Sequence, residues 1–292
     1  MTGLDYIHVD VFSDTAYGGN SLPVFCDGPN LTPAAMLRIT CELRHFEAIF
    51  LQPDPDARTA KARVFDLMEE LPFAGHPLLG AAAALQHVHA PGRSGAWTFD
   101  LSGRIARVEV EPRGTGYFGV LDQGPPGFLG EVRDRATIAR AFNLSEEDVE
   151  SKLPLEVAST GLRYLVVPLR PDRIGAARIS ADITGLLKTH GAQFAVLFDP
   201  ETFEIRHWNN DGVIEDIATG SAAGVVGAYA LKHGLAVGGR RFALSQGRFA
   251  GRPSRIEVEA DTSGQTIGPV KVGGPVTIVG SGRLERLPED AA

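Results

Sequence analysis

Two stretches of this sequence carry residue types that could do proton chemistry, and they echo one another. Glu70-Leu71-Pro72-Phe73-Ala74-Gly75-His76-Pro77 opens one alanine-rich segment, and Glu215-Asp216-Ile217-Ala218-Thr219-Gly220-Ser221-Ala222 opens another. Each runs acid, turn, small residue, glycine, polar residue, helix. Glycine at a helix start lets a ligand come close to the backbone, and the unpaired N–H groups with the positive dipole end favour an anionic or electron-rich partner. His76 at such a start is expected to stay neutral and to exchange hydrogen bonds with a substrate or a carboxylate, or else merely to cap the helix. Asp216 and Ser221 read as a turn acid and an N-cap. By symmetry with His76, Ser221 also reads as a group facing a ligand, and both roles can hold together. A further acid, Glu47, lies among Phe46, Ala48, Ile49 and Phe50. Burial there would disfavour its charged form, toward the range where a carboxyl both takes and gives a proton. From the residues alone, a Glu47 pointing to solvent from an edge strand is the favoured reading.

The elements that must position these residues alternate strands with a few helices. Apolar alternation and β-branched residues predict strands at Tyr6 to Phe12, Leu22 to Phe25, His45 to Gln52, Ala62 to Phe65, Trp97 to Phe99 and Ile105 to Glu111. Thr32 before Pro33 predicts an N-cap and a helix over Pro33 to Leu43. Leu78 to His87 is apolar and alanine-rich, the composition of a helix buried on all sides. Asp122-Gln123-Gly124-Pro125-Pro126-Gly127 is the best linker candidate. Beyond it, short helical pieces are expected at Ile138 to Phe142 and Glu146 to Glu150. Strands follow at Tyr164 to Pro168, Ala192 to Phe198 and Phe203 to Trp208, then a small-residue helix at Ala222 to His233. Strands at Phe242 to Gln246, Ile256 to Glu259 and Val276 to Val279 close the chain. The echo between the halves predicts an α+β fold of two pseudo-symmetric lobes, each a curved sheet around a central buried helix. The lobes would span residues 1–122 and 123–275, with a tail, 276–292, returning to the first.

At 292 residues and 43% hydrophobic content the chain has ample length and apolar material for a buried core. A net charge of −8 and the lack of a basic stripe argue against a nucleic-acid partner. No apolar run approaches the ~20 residues that cross a bilayer, and the start Met1-Thr2-Gly3-Leu4-Asp5 shows no secretory signal, so no membrane role and a cytoplasmic location are expected. Cys26 and Cys41 are too few for a disulfide framework or a four-ligand zinc site and read as two half-buried thiols. Asn-x-Ser/Thr matches at Asn30 and Asn143 would matter only in a secreted protein. Gly114 to Gly119 matches G-x-G-x-x-G literally, but Phe118 to Leu121 reads on as strand, so no helix follows to cap a pyrophosphate. His87 and His89, two apart, cannot face one metal from a helix and read as solvated.

These two runs, the opening Val9-Asp10-Val11-Phe12 with Gly19-Asn20, and Gln246-Gly247 with Gly251-Arg252-Pro253-Ser254 resemble the phenazine-biosynthesis isomerase family, from about residue 5 to about residue 283. The resemblance implies a diaminopimelate-epimerase-like fold, a homodimer, and proton transfer without metal or organic cofactor. It places the family's acid/base carboxylate on Glu47, with His76, Asp216 and Ser221 as its catalytic partners, and substrate binding on Asn20, Gly75, Thr219 and Gly220. With the resemblance, the catalytic reading of Glu47 displaces the solvent-facing one. The implied substrate is a small cyclic or conjugated amino- or hydroxy-carboxylic acid of secondary metabolism. Epimerases of the same fold use two opposed cysteines at the two helix starts, which here are His76 and Ser221. An epimerase or racemase, and a non-catalytic small-acid-binding protein, are the alternatives. Phe46, Ala48 and Ile217 depart from the family's usual serine, threonine and proline, which points to a different pocket.

Overall fold

The computed structural model describes residues 3–27 and 31–288; Met1, Thr2 and the Asn30 match lie outside them. The chain divides into two compact units, Met1–Asp122 with Gly273–Ala292, and Gln123–Val272. The first contains β1 (Leu4–Val11), β2 (Asn20–Phe25), α1 (Pro33–Leu43), β3 (Glu47–Asp54), β4 (Thr59–Asp66), β5 (Glu70–Leu71), α2 (Gly75–His89), β6 (Gly95–Leu101), β7 (Arg104–Arg113) and β8 (Gly116–Asp122). The second contains β9 (Gly127–Val132), α3 (Arg135–Ala141), β10 (Leu155–Ser159), β11 (Arg163–Pro168), α4 (Thr184–Thr189), β12 (Phe194–Asp199), β13 (Glu204–Trp208), β14 (Glu215–Asp216), α5 (Gly220–Lys232), β15 (Phe242–Gln246), β16 (Ser254–Glu259), β17 (Thr262–Ser263) and β18 (Thr266–Ile267). The last strand, β19 (Lys271–Leu284), pairs antiparallel with β1, from Val276 opposite Val11 to Leu284 opposite Leu4.

In the first unit the ladders close on themselves. β19 pairs with β1, β1 with β2, β2 with β3, β3 with β4, β4 with β6, β6 with β7, β7 with β8, and β8 again with β19. Each of these eight strands is thereby paired on both sides, and closure creates an interior that must be filled. α2 fills it: every residue from His76 to Gln86 is buried. Small side chains make this possible. A Cβ at Gly80 would stand 2.6 Å from Leu22 Cδ2 and 3.0 Å from Val9 Cγ2, so the barrel wall passes almost against the helix backbone there. The outer face of the sheet packs on α1 through Phe25, Ala35, Met36, Ile39, Ala48, Phe50 and Phe65. Thr32 caps α1, its hydroxyl accepting from Ala35 N at 3.2 Å, with proline at the start as the sequence predicts. The turn into β2 needs Gly19 at φ +60°, where any Cβ would fall 2.3 Å from Val11 O.

The second unit repeats this order. β9, β10, β11, β12, β13, β15 and β16 pair in succession, and α5 is buried from Ala222 to Leu231 against β10, β11, β12 and β16. The correspondence extends to direction: β2 runs parallel to β3 and β11 to β12, with α1 or α4 as the crossover. A second core lies between β9–β13 and α3 and α4, including Phe142, Leu155, Val167, Leu187, Leu197 and Trp208.

The described architecture is α+β. It differs from the sequence reading in several places. Glu146 to Glu150 holds only a single 3-10 turn, Glu146–Asp148, closed by a Ser145–Asp148 capping box. The two buried helices begin at Gly75 and Gly220, earlier than the apolar periodicity suggests. β9, β10 and α4 have no counterpart in the predicted elements. Asn143 closes α3 from a left-handed backbone, φ 57°. Gly114 to Gly119 runs from a turn into β8, with no helix. His87 and His89 are exposed. Among the described residues no helix is long and apolar enough to cross a membrane.

Candidate active site

Glu47 is the first residue of β3. The chain leaves α1 through Arg44 in a left-handed conformation, φ 59°, then enters the strand. Ala48 and Phe50 pack on the α1 side, and alternation along the strand turns Glu47 to the opposite face, toward α2. Glu47 is 7% exposed, which excludes the solvent-pointing alternative. His76 is 5% exposed, and its Nε2 stands 3.5 Å from Glu47 Oε2. An acid and an imidazole thus face each other inside the barrel, at a separation open to tightening when a third group binds. His76 is the second residue of α2, in the turn whose N–H groups have no helical partner; Ala74 is the N-cap, and no side chain caps the helix. A Cβ at Gly75 would meet only Leu121 Cδ2, at 3.8 Å. Asn20, 1% exposed, begins β2 opposite Val11.

In the second unit Asp216 lies on β14 opposite His207 of β13. Its carboxylate accepts the Thr219 hydroxyl at 2.5 Å and the Ala218 N–H at 3.3 Å. Gln246, fully buried, locks this turn from behind: its Oε1 accepts Thr219 N–H at 2.9 Å, and its Nε2 donates to Asp216 O at 2.8 Å and Thr219 Oγ1 at 3.0 Å. Ser221 is not the N-cap. Thr219 occupies that position, with its hydroxyl turned to Asp216 rather than to the helix, and Ser221 is the second helical residue after Gly220. Ser221 therefore holds in α5 the place His76 holds in α2. Its Oγ lies 2.8 Å from Tyr164 OH. Tyr164 packs against Phe194 and His207, with ring centroids 5.5 Å away in both cases. Burial lowers the proton affinity of His207, against the opposing pull of the Asp216 charge and of the Ala195 carbonyl, 2.9 Å from Nδ1.

The sequence points to Asp216, Thr219, Gly220 and Ser221, and the structure gathers them at one turn. It gives no role to Tyr164, His207 or Gln246, although Gln246-Gly247 stands out in the pattern of the tail. Neither thiol stands at a helix start. Cys26 follows β2, where burial beside Asp27 pushes its pKa up to about 12, and Cys41 is exposed on α1 rather than half-buried. Among the described residues no group of three or more His, Cys, Asp or Glu is placed to hold a metal ion.

Residues 9–282 match the family described as phenazine biosynthesis-like protein. The chain belongs to that family. The family is one of isomerases. The chain is 34% identical over 266 residues to the uncharacterized isomerase YddE of Escherichia coli O157:H7, covering 86% of this chain and 88% of the relative. It is 29% identical over 292 residues to the trans-2,3-dihydro-3-hydroxyanthranilate isomerase of Pseudomonas fluorescens, covering 96% and 99%. A solved structure described as a predicted epimerase from Pseudomonas aeruginosa superposes with a TM-score of 0.90 at 43% identity, covering 97% of this chain and 99% of that one. Membership spans both buried helix starts and Glu47, so all the family's candidate positions fall within the match.

Proposed function

We propose that this chain is a cofactor-independent isomerase that moves a proton, and with it a double bond, within a small cyclic or conjugated amino- or hydroxy-carboxylic acid of secondary metabolism. The observation that carries the reading is the buried Glu47 carboxyl facing the His76 imidazole at 3.5 Å. Glu47 takes a proton from one carbon, and the C–H electron pair enters the conjugated system. The same carboxyl then returns the proton to another carbon on the same face as the double bonds shift. One acid/base group suffices for such a step, and general acid–base catalysis of this kind contributes about 10²–10⁴ in rate. His76 holds a polar group of the substrate or the protonated carboxyl. Within the first unit Asn20 and the Gly75 N–H are assigned to binding polar atoms of the substrate; within the second, Gly220 and Thr219 are assigned to binding and Asp216 and Ser221 to catalysis. The closed barrel around α2 and the same element order around α5 support a diaminopimelate-epimerase-like fold with pseudo-symmetric lobes.

Proton NMR in deuterated water with trans-2,3-dihydro-3-hydroxyanthranilate, the compound named for the Pseudomonas fluorescens relative, tests the reading. Loss of substrate signals with deuterium entering one ring carbon is expected. Inversion of a single stereocentre in an amino acid would favour an epimerase instead, and tight binding of the acid without any exchange would mark a binding protein.

A further inference from the structure

One arginine–glutamate pair occurs at the same place in each unit. Arg63 on β4 donates from Nε to Glu70 Oε1 at 2.7 Å and from Nη2 to Oε2 at 2.5 Å. Arg206 on β13 donates to Glu215 in the same fork, at 2.8 and 2.7 Å. In both units the arginine precedes by two residues the aromatic that stands opposite the glutamate, Phe65 with Glu70 and Trp208 with Glu215. In both the guanidinium lies over that ring, 5.4 Å from the Phe65 centroid and 4.3 Å from Trp208. In both the glutamate lies five residues before the glycine that starts the buried helix.

The strands that carry the glutamates, β5 and β14, are two residues long. A ladder that short holds weakly, whereas a bidentate guanidinium–carboxylate fork fixes both distance and direction. The far end of the first fork is β4, whose Asp66 stands opposite Glu47. The fork therefore ties the Glu47 strand pair to the segment leading into His76. In the second unit Glu215 adjoins Asp216, and Arg206 is also held by the Ile174 and Ala177 carbonyls, at 2.8 and 3.3 Å.

We propose that Arg63 with Glu70, and Arg206 with Glu215, are positioning residues that set the starts of α2 and α5, and through them His76 and Ser221. The consequence for turnover rests on the isomerase reading; the consequence for His76 does not. The first fork gives the cleaner test, because its side chains are 31% and 36% exposed, whereas Arg206 at 2% sits in the core. Exposed ion pairs contribute little to stability, so a merely structural fork would leave little trace when removed.

The experiment compares wild type, Glu70→Ala and the charge-swapped Arg63→Glu/Glu70→Arg protein. Melting temperature, amide hydrogen exchange in the first turns of α2 and the His76 ring resonances are measured with turnover. Glu70→Ala should melt close to wild type, exchange faster at the start of α2 and show displaced His76 ring signals. Turnover should fall by roughly 10–100-fold with KM little changed, since about 1 Å of misplacement is worth ~10²-fold. The swap should move the exchange rates, the ring signals and kcat back toward wild type. Wild-type ring signals and exchange in Glu70→Ala would overturn the proposal. A wild type without turnover would sink the isomerase reading alone, leaving the ring and exchange readouts to decide on the fork.

Discussion

At the scale of single residues, the site is a set of buried polar groups, each of which must be satisfied or used. The Asp216–Thr219–Gln246 network satisfies its members within one turn, since the carboxylate, the hydroxyl and the amide each bond the others or the local backbone. His207 behaves differently with pH. Its folded-state proton affinity lies below the ordinary value of 6.5, through burial first, with Asp216 and the Ala195 carbonyl opposing. As pH falls below about 6.5 the unfolded chain binds a proton that the folded chain resists, so stability drops as pH falls and is unaffected by this group above that window. His207→Asn keeps a donor for Ala195 O and removes the titration. Its melting temperature between pH 7 and 5 should fall less steeply than that of wild type; parallel slopes would show that the histidine carries its proton freely when folded.

At the scale of elements, what could be read in the sequence was what depends on local spacing. The two helix starts announced themselves through glycine, small residues and alanine runs, and α1 through Thr32 and Pro33. Elements whose signal is not local stayed hidden. β10 contains Glu156, a carboxylate that reads as exposed but is buried because Lys232 and His233, at the far end of α5, reach it from 76 and 77 residues away. β9 carries two glycines and a mostly exposed face, so it shows no alternation. Tyr164 reads as one more core residue of a strand until α5 brings Ser221 to its hydroxyl. Barrel closure, the feature that forces α2 inside, is likewise a property of pairing between distant strands. It makes a prediction about α2: Gly80→Ala gains about 1 kcal/mol of helix propensity but drives a methyl into Leu22 and Val9, an overpacking that costs about 1–3 kcal/mol. Urea unfolding should give a net loss of up to about 2 kcal/mol with an unchanged denaturant slope; a more stable variant would mean that the barrel wall yields there.

At the scale of the whole molecule, the same plan is used twice: an antiparallel pair, a parallel crossover, a two-stranded clamp, a buried helix opened by glycine and a polar residue. Because the plan recurs, His76 and Ser221 occupy equivalent positions, each the second residue of a buried helix, although one is an imidazole and the other a hydroxyl. The homodimer that the family resemblance implies predicts a light-scattering mass near twice 31.1 kDa, and a mass near 31.1 kDa at micromolar concentration would contradict it. The proposed proton shift depends on Glu47, the single carboxyl assigned to carry the proton. The decisive measurement is deuterium entry from solvent into the substrate by wild type and by Glu47→Gln, which keeps shape and removes the base. A fall of about 10²–10⁴ is expected in the variant, with circular dichroism and melting temperature preserved. Wild-type exchange by a folded Glu47→Gln protein would contradict it.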